Sequence, residues 1–196
     1  MKLNLPNKLT FARMIIAIIF MVFLLSPGVF SRCIALILFI TAMITDLYDG
    51  KIARQRQMVT NLGKLLDPLA DKILVTVAFV SFVELQVVSA WMFVLIITRE
   101  FCVTGLRLIA LSKGKLISAS RVGKHKTVSQ MVVIVLILLL LILRDILLSH
   151  IVDTKALDLF LYWFSYIIFI AMSITVGLTL LSGYVYVEKN LSLFED

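Results

Sequence analysis

Four aspartates interrupt a run of apolar sequence: Asp46, Asp49, Asp67 and Asp71. Carboxylates placed among apolar residues are costly unless they pair with cations or bind a metal. On a helix, Asp46, Asp49, Gly50 and Ala53 fall at i, i+3, i+4 and i+7 and therefore share one face. Asp67 and Asp71, spaced i and i+4, share a face of the following helix together with Gly63. Two such helices facing each other line a pocket with oxygen and leave room in it for a ligand. Carboxylates without Cys or His select hard divalent cations, Mg²⁺ or Mn²⁺ rather than zinc. Four ligands of this kind can hold two ions about 3.5–4 Å apart, an arrangement that clamps the attacking and leaving oxygens of phosphoryl-type chemistry. The alternative is a set of solvated loop aspartates, or partners for Lys51, Arg54, Lys64 and Lys72.

Basic residues form the second constellation. Arg99, Glu100 and Arg107 sit inside an apolar segment, where ionisable residues are functional candidates by default. Arg107 lies eight residues beyond Arg99, on nearly the same helix face. A loop read over Lys113–Lys126 adds Lys113, Lys115, Arg121, Lys124 and Lys126, while Thr10 and Arg13 can approach from the N-terminal helix. Thr10, Arg13, Arg107, Arg121, Lys124 and Lys126 are therefore the candidates for holding an anionic phosphate beside the aspartates. Glu100 is read as orienting Arg99 or Arg107. The competing role for several of these cations is attraction to anionic headgroups, worth about 1 kcal/mol per residue. His125 and His150 match no metal or nucleophile spacing, and Cys33 and Cys102 form no disulfide framework.

The elements that carry these residues follow from composition. Of 196 residues, 61% are hydrophobic and 16% charged, against roughly 45–50% and about 25% in soluble domains. An aqueous enzyme, a disordered chain and a collagen-like fibre are thereby excluded. A spanning helix needs about 20 mostly apolar residues, and six candidates are legible. They cover Phe11–Leu25, Arg32–Thr45, Ile73–Val88, Trp91–Leu111, Val128–Leu143 and Leu157–Val187. With six spans both termini share one side, and sixteen of the nineteen Lys and Arg residues fall there, leaving Arg32, Arg144 and Lys155 opposite. The positive-inside rule makes that side cytoplasmic. Lys2, Lys8 and Arg13 ahead of an apolar run resemble the start of a signal peptide, but no small-x-small cleavage pattern follows, so an uncleaved helix is expected. The expected fold is all-α: a single domain over 1–196, an integral membrane bundle of six transmembrane helices with both termini cytoplasmic, in the cell membrane.

The segment Asp46-Leu47-Tyr48-Asp49-Gly50-Lys51-Ile52-Ala53-Arg54, eight further residues, Gly63, three residues, Asp67, three residues and Asp71 resembles the signature of the CDP-alcohol phosphatidyltransferase family. All eight fixed positions match over 26 residues. The resemblance implies six transmembrane helices, a homodimer and a divalent-metal site at the cytoplasmic side, with no nucleic-acid partner. Three further stretches are similar to the branch of the family whose acceptor is glycerol 3-phosphate. They are Leu5-Pro6-Asn7-Lys8-Leu9-Thr10-Phe11-Ala12-Arg13, Thr98-Arg99-Glu100-Phe101 with Thr104-Gly105-Leu106-Arg107, and Gly123-Lys124-His125-Lys126-Thr127 with Gln130.

What the resemblance implies is attack by a hydroxyl of glycerol 3-phosphate on the lipid-bearing phosphorus of CDP-diacylglycerol, with CMP as leaving group. It assigns Asp46, Asp49, Asp67 and Asp71 to the metal ions, and Asp71 also to the role of general base. Asp71 as a ligand only is the other reading. The resemblance places CDP-diacylglycerol on Asp46, Asp49, Gly50, Ala53, Arg54 and Gly63. Gly50 and Ala53 admit a flat pyrimidine close to the backbone; small residues at this spacing also serve tight helix packing. The motif is equally compatible with inositol phosphate, serine or phosphatidylglycerol as acceptor. A cation-coupled transporter would also place aspartates in the membrane, but its site belongs near the midplane between repeats, and no repeat is visible.

Overall fold

The computed structural model describes the backbone of residues 5–56, 61–112, 121–150 and 154–189, and the side chains of 12–45, 72–110, 125–149 and 157–189. The described residues form six helices: α1 (Leu5–Leu25), α2 (Val29–Arg56), α3 (Asn61–Glu84), α4 (Ala90–Ser112), α5 (Arg121–His150) and α6 (Thr154–Glu188). Short connections make sequential helices antiparallel. The ends of α2, α4 and α6 therefore lie at the same end of the bundle as the starts of α1, α3 and α5, and the aspartate segment belongs to that end.

The α1–α2 connection turns at Ser26-Pro27-Gly28, where Gly28 has a φ of 106°, a backbone setting that side chains resist. α3 stops differently. Gln86 adopts a φ of 56°, the Gln86 amide donates to Val83 O at 2.9 Å and the Val87 amide to Phe82 O at 2.9 Å. That is a Schellman stop with a non-glycine residue in the left-handed position.

The core is built from one stripe per helix. α1 contributes Ala17, Phe20 and Leu24, α2 Ala35, Phe39 and Ala42, α3 Leu74, Ala78, Phe79 and Phe82, and α5 Ile134, Ile137, Leu138 and Leu141, all buried. Phe20 of α1 meets Phe39 of α2 with ring centroids 5.7 Å apart, and Phe79 of α3 meets Phe93 of α4 at 6.5 Å. Outside the core the bundle is also apolar: Ile15, Ile18, Val22, Ile37, Val132, Leu159, Ile174 and Leu181 are all exposed. A soluble bundle does not carry so continuous an apolar coat, and the surface suits hydrocarbon. Among the described residues, two helices are long and apolar enough to cross a membrane, over His125–Ser149 and Leu157–Glu188, with shorter apolar helices over Ala12–Leu25 and Val29–Thr45.

The charged segments are more helical than the sequence reading had them. Lys51–Arg56 complete α2, Asn61–Lys72 open α3, and Arg121–Lys126 are the first turns of α5, not a loop. The physical reason is that a helix need not end where its apolar run ends. Lys, Arg, Leu and Ala all favour helix, so each rod continues past its apolar run; α5, with 30 residues, is about 45 Å long. Residues 113–120 of the expected loop, with Lys113 and Lys115, lie outside the described residues.

At the opposite end a buried ion pair ties three helices. Arg32 Nε of α2 stands 3.0 Å from Asp145 Oδ2 of α5, and Arg32 Nη1 donates to Leu141 O at 3.3 Å. Arg144 Nε lies 3.6 Å from Asp145 Oδ1, and its guanidinium sits 5.7 Å above the Phe164 ring of α6.

Candidate active site

Towards the aspartate end the interior changes character. On α5 the buried stripe runs Leu141, Leu138, Ile137 and Ile134, then turns polar at Gln130 and Lys126. On α6 it runs Phe164, Ile168, Met172 and Val176, interleaved with Thr175 and continued by Thr179, Ser182 and Tyr186. On α4 it reaches Met92 and Ile96 before Arg99 and Glu100. Buried polar groups need partners: Thr175 and Thr179 donate to carbonyls of their own helix, whereas Lys126 and Ser182 find theirs across helices.

Glu100 of α4 is the centre of that network. Its carboxylate forms an ion pair with Lys126 Nζ of α5, whose side chain is buried. Arg99 Nη1 lies 3.4 Å from Glu100 Oε1, and Lys72 Nζ of α3 lies 3.9 Å from Glu100 Oε2. Lys72 also donates to the Glu100 backbone carbonyl at 3.0 Å and to the Thr104 hydroxyl. The same hydroxyl donates to the Glu100 carbonyl at 2.8 Å. On the far side, Arg99 Nη2 donates to Ser182 Oγ of α6 at 2.7 Å. Three cations around one carboxylate leave a positive excess inside a low-dielectric bundle, where an anionic ligand is strongly attracted.

This cluster adjoins the aspartates through the chain itself, because Lys72 directly follows Asp71 on α3. The backbone bears out the helical spacing of the carboxylates. Asp46, Asp49, Gly50, Ala53 and Arg54 lie in the last turns of α2, and Gly63, Asp67 and Asp71 in the first turns of α3. Their side chains lie outside the described residues, as do those of Thr10, Arg121 and Lys124. Among the described residues, no cluster of His, Cys, Asp or Glu could hold a metal ion. The donor set carried by α2 and α3, four carboxylates without nitrogen or sulfur, fits a hard divalent cation.

The remaining phosphate candidates divide. Lys126 is inside the cluster and 5% exposed; Arg13 of α1 is also buried. Arg107 is exposed near the end of α4, and the side chains that meet the Glu100 carboxylate are Lys72, Arg99 and Lys126. The sequence assigns Glu100 to orienting Arg99 or Arg107, and the geometry favours Arg99; it offers Lys72 only as one of four cations that could pair with solvated aspartates, and it gives α6 no role. The available signal was Lys72 standing one residue from Asp71. Nothing in the sequence pointed to Ser182, because a serine in an apolar helix ordinarily bonds its own backbone.

Comparison with known proteins agrees with the motif. A profile described as CDP-alcohol phosphatidyltransferase matches residues 3–181. The chain is similar to the CDP-diacylglycerol–glycerol-3-phosphate 3-phosphatidyltransferase of Bacillus subtilis strain 168, with 38% identity over 95% of each chain. It resembles the protein of the same name from Rickettsia typhi, with 42% identity over 65% of this chain and 72% of that one. The Yersinia pestis protein so named is 35% identical over 67% of this chain and 74% of its own.

Proposed function

The chain belongs to the CDP-alcohol phosphatidyltransferase family, and on that premise we propose how its residues carry out the transfer of a phosphatidyl group from CDP-diacylglycerol to glycerol 3-phosphate. The reaction gives phosphatidylglycerophosphate and CMP. An oxygen of the acceptor hydroxyl forms a new bond to the lipid-bearing phosphorus. The bond from that phosphorus to the bridging oxygen breaks, and CMP departs with the electron pair. The hydroxyl proton passes to a carboxylate oxygen of Asp71.

Family members use divalent metal ions. In this chain Asp46, Asp49, Asp67 and Asp71 would hold Mg²⁺ or Mn²⁺, two ions in number; when bound, they supply charge neutralisation of the diphosphate and of the leaving CMP. Asp71 serves as base in line with the family resemblance. A carboxylate is weak for this task unless a metal acidifies the acceptor hydroxyl or the site raises the carboxylate's proton affinity; beside the cations of Lys72, Arg99 and Lys126 the first route is the one that fits. Gly50, Ala53 and Gly63 leave space for the cytidine, and Arg54 pairs with a phosphate of the CDP group.

The acceptor phosphate is a dianion, and the observation that carries its placement is the convergence of Lys72, Arg99 and Lys126 on the single carboxylate Glu100. Lys126 and Arg99 orient the phosphate, and Arg13, Thr10, Arg107, Arg121 and Lys124 complete the mouth of the site. Held there, the acceptor presents its hydroxyl towards Asp71, one residue from Lys72. Six spanning helices, cytoplasmic termini, a cytoplasmic site in the cell membrane and a homodimer complete this reading. The orientation is supported by the sixteen of nineteen basic residues that a six-span reading puts on the aspartate side.

The test is CMP release from CDP-diacylglycerol by purified protein with Mg²⁺ and a panel of acceptors. Release with glycerol 3-phosphate supports the assignment. Release only with serine, inositol phosphate or phosphatidylglycerol overturns it.

A further inference from the structure

The interior face of α6 at the aspartate end has no counterpart in the motif, yet it touches the cation cluster at one point. Thr179, Ser182, Gly183 and Tyr186 fall at i, i+3, i+4 and i+7 and are all buried. Ser182 has both of its hydroxyl functions committed: Oγ donates to Thr179 O at 2.9 Å and accepts from Arg99 Nη2 at 2.7 Å. The next residue is a glycine, and the Arg99 side chain lies across it. A Cβ added at Gly183 would stand 2.9 Å from Arg99 Cγ, 3.4 Å from Nε and 3.7 Å from Cδ. Cγ belongs to the stem of the side chain, so relieving that contact displaces the guanidinium as well. At Gly177 on the same helix an added Cβ meets nothing within 4 Å.

We propose that Ser182 and Gly183 form a notch in α6 that positions Arg99 for the acceptor phosphate. Ser182 fixes the far end of the guanidinium, Gly183 admits its stem, and Glu100 at 3.4 Å holds the near end. A flexible side chain is thereby reduced to one presentation. Pre-organisation of this kind lowers the entropy lost when a phosphate is bound. Ser182 and Gly183 are positioning residues: they act through Arg99 and touch no substrate. The inference rests on the acceptor site proposed above.

The notch can be tested without endangering the helix, because alanine favours a helix over glycine by about 1 kcal/mol. Gly183→Ala, Ser182→Ala and the control Gly177→Ala are compared with the wild-type protein for kcat and for KM of each substrate. Thermal midpoints in detergent are recorded alongside. A hydrogen bond to a charged group contributes about 1.5–3 kcal/mol, so KM for glycerol 3-phosphate rises about tenfold or more in Gly183→Ala and Ser182→Ala. KM for CDP-diacylglycerol stays near wild type in both notch variants, and Gly177→Ala leaves both KM values unchanged. Unchanged acceptor KM in both notch variants overturns the inference, as does a parallel rise in both KM values with a lowered midpoint. A wild-type protein that releases no CMP with glycerol 3-phosphate overturns the acceptor site itself, and the inference with it.

Discussion

The carboxylate of Glu100 on α4 and the ammonium of Lys126 on α5 form a buried ion pair, with 15% and 6% of the side chains exposed. The pair joins two helices that are separated in sequence by a segment of basic residues. It also sets the net charge of the pocket, since Lys72 and Arg99 share the same carboxylate. Removing Glu100 leaves three cations to repel one another; removing Lys126 subtracts one attraction for an anion.

Glu100→Gln is accordingly the more damaging change. Breaking a buried pair by deleting one partner costs about 3–5 kcal/mol. The variant should show a lowered thermal midpoint in detergent and weakened turnover with any acceptor, while Glu100→Asp retains part of both. A Glu100→Gln protein as stable and active as wild type would remove Glu100 from the centre of the site.

Lys126→Met should act on one substrate selectively. The aliphatic stem is preserved, and the loss is a charge-assisted contact of about 1.5–3 kcal/mol, equivalent to roughly ten- to a hundredfold in KM for glycerol 3-phosphate. KM for CDP-diacylglycerol should stay within about twofold of wild type by the same reasoning, because the nucleotide is assigned to α2 and α3. Initial-rate kinetics with each substrate varied in turn would show it.

Asp71→Asn tests the base. General-base removal typically costs about 10²–10⁴ in rate, so CMP release should fall by that factor while CDP-diacylglycerol still binds, as measured by calorimetry with Mg²⁺ present. A variant with near-normal turnover would leave Asp71 as a ligand only.

The opposite end of the bundle gives a contrast. Asp145→Ala leaves Arg32, 6% exposed in its side chain, without its carboxylate, so about 3–5 kcal/mol of stability should be lost. The thermal midpoint should drop, but both KM values should hold, because Arg32, Arg144 and Asp145 lie at the end away from the aspartates. A selective change in acceptor KM would instead connect the two ends.

The six helices were legible in the sequence because each carries a long apolar run, two of them long enough to cross a membrane among the described residues, and the carboxylate faces because i, i+3 and i+4 spacing survives any detail of packing. What escaped was contact between helices. Lys72 has no assigned role in the sequence beyond a possible pairing with neighbouring aspartates, yet it reaches across to Glu100 and Thr104, a fact set by how α3 crosses α4. Arg121–Lys126 read as loop because charge was taken to end the helix, whereas α5 simply continues past its apolar run. Ser182 and Gly183 were invisible for the same reason as Lys72: only the placement of α6 against Arg99 gives them a role.

The central claim is that the aspartate helices and the cation cluster together join a phosphatidyl group to glycerol 3-phosphate. Purified protein in detergent, given CDP-diacylglycerol, Mg²⁺ and isotope-labelled glycerol 3-phosphate, should move the label into a lipid-extractable phosphatidylglycerophosphate with one CMP released for each label transferred. Chelation of the metal should stop the transfer and added Mg²⁺ restore it. Label that stays in the aqueous phase while CMP is released, or transfer that continues undiminished under chelation, would contradict the account.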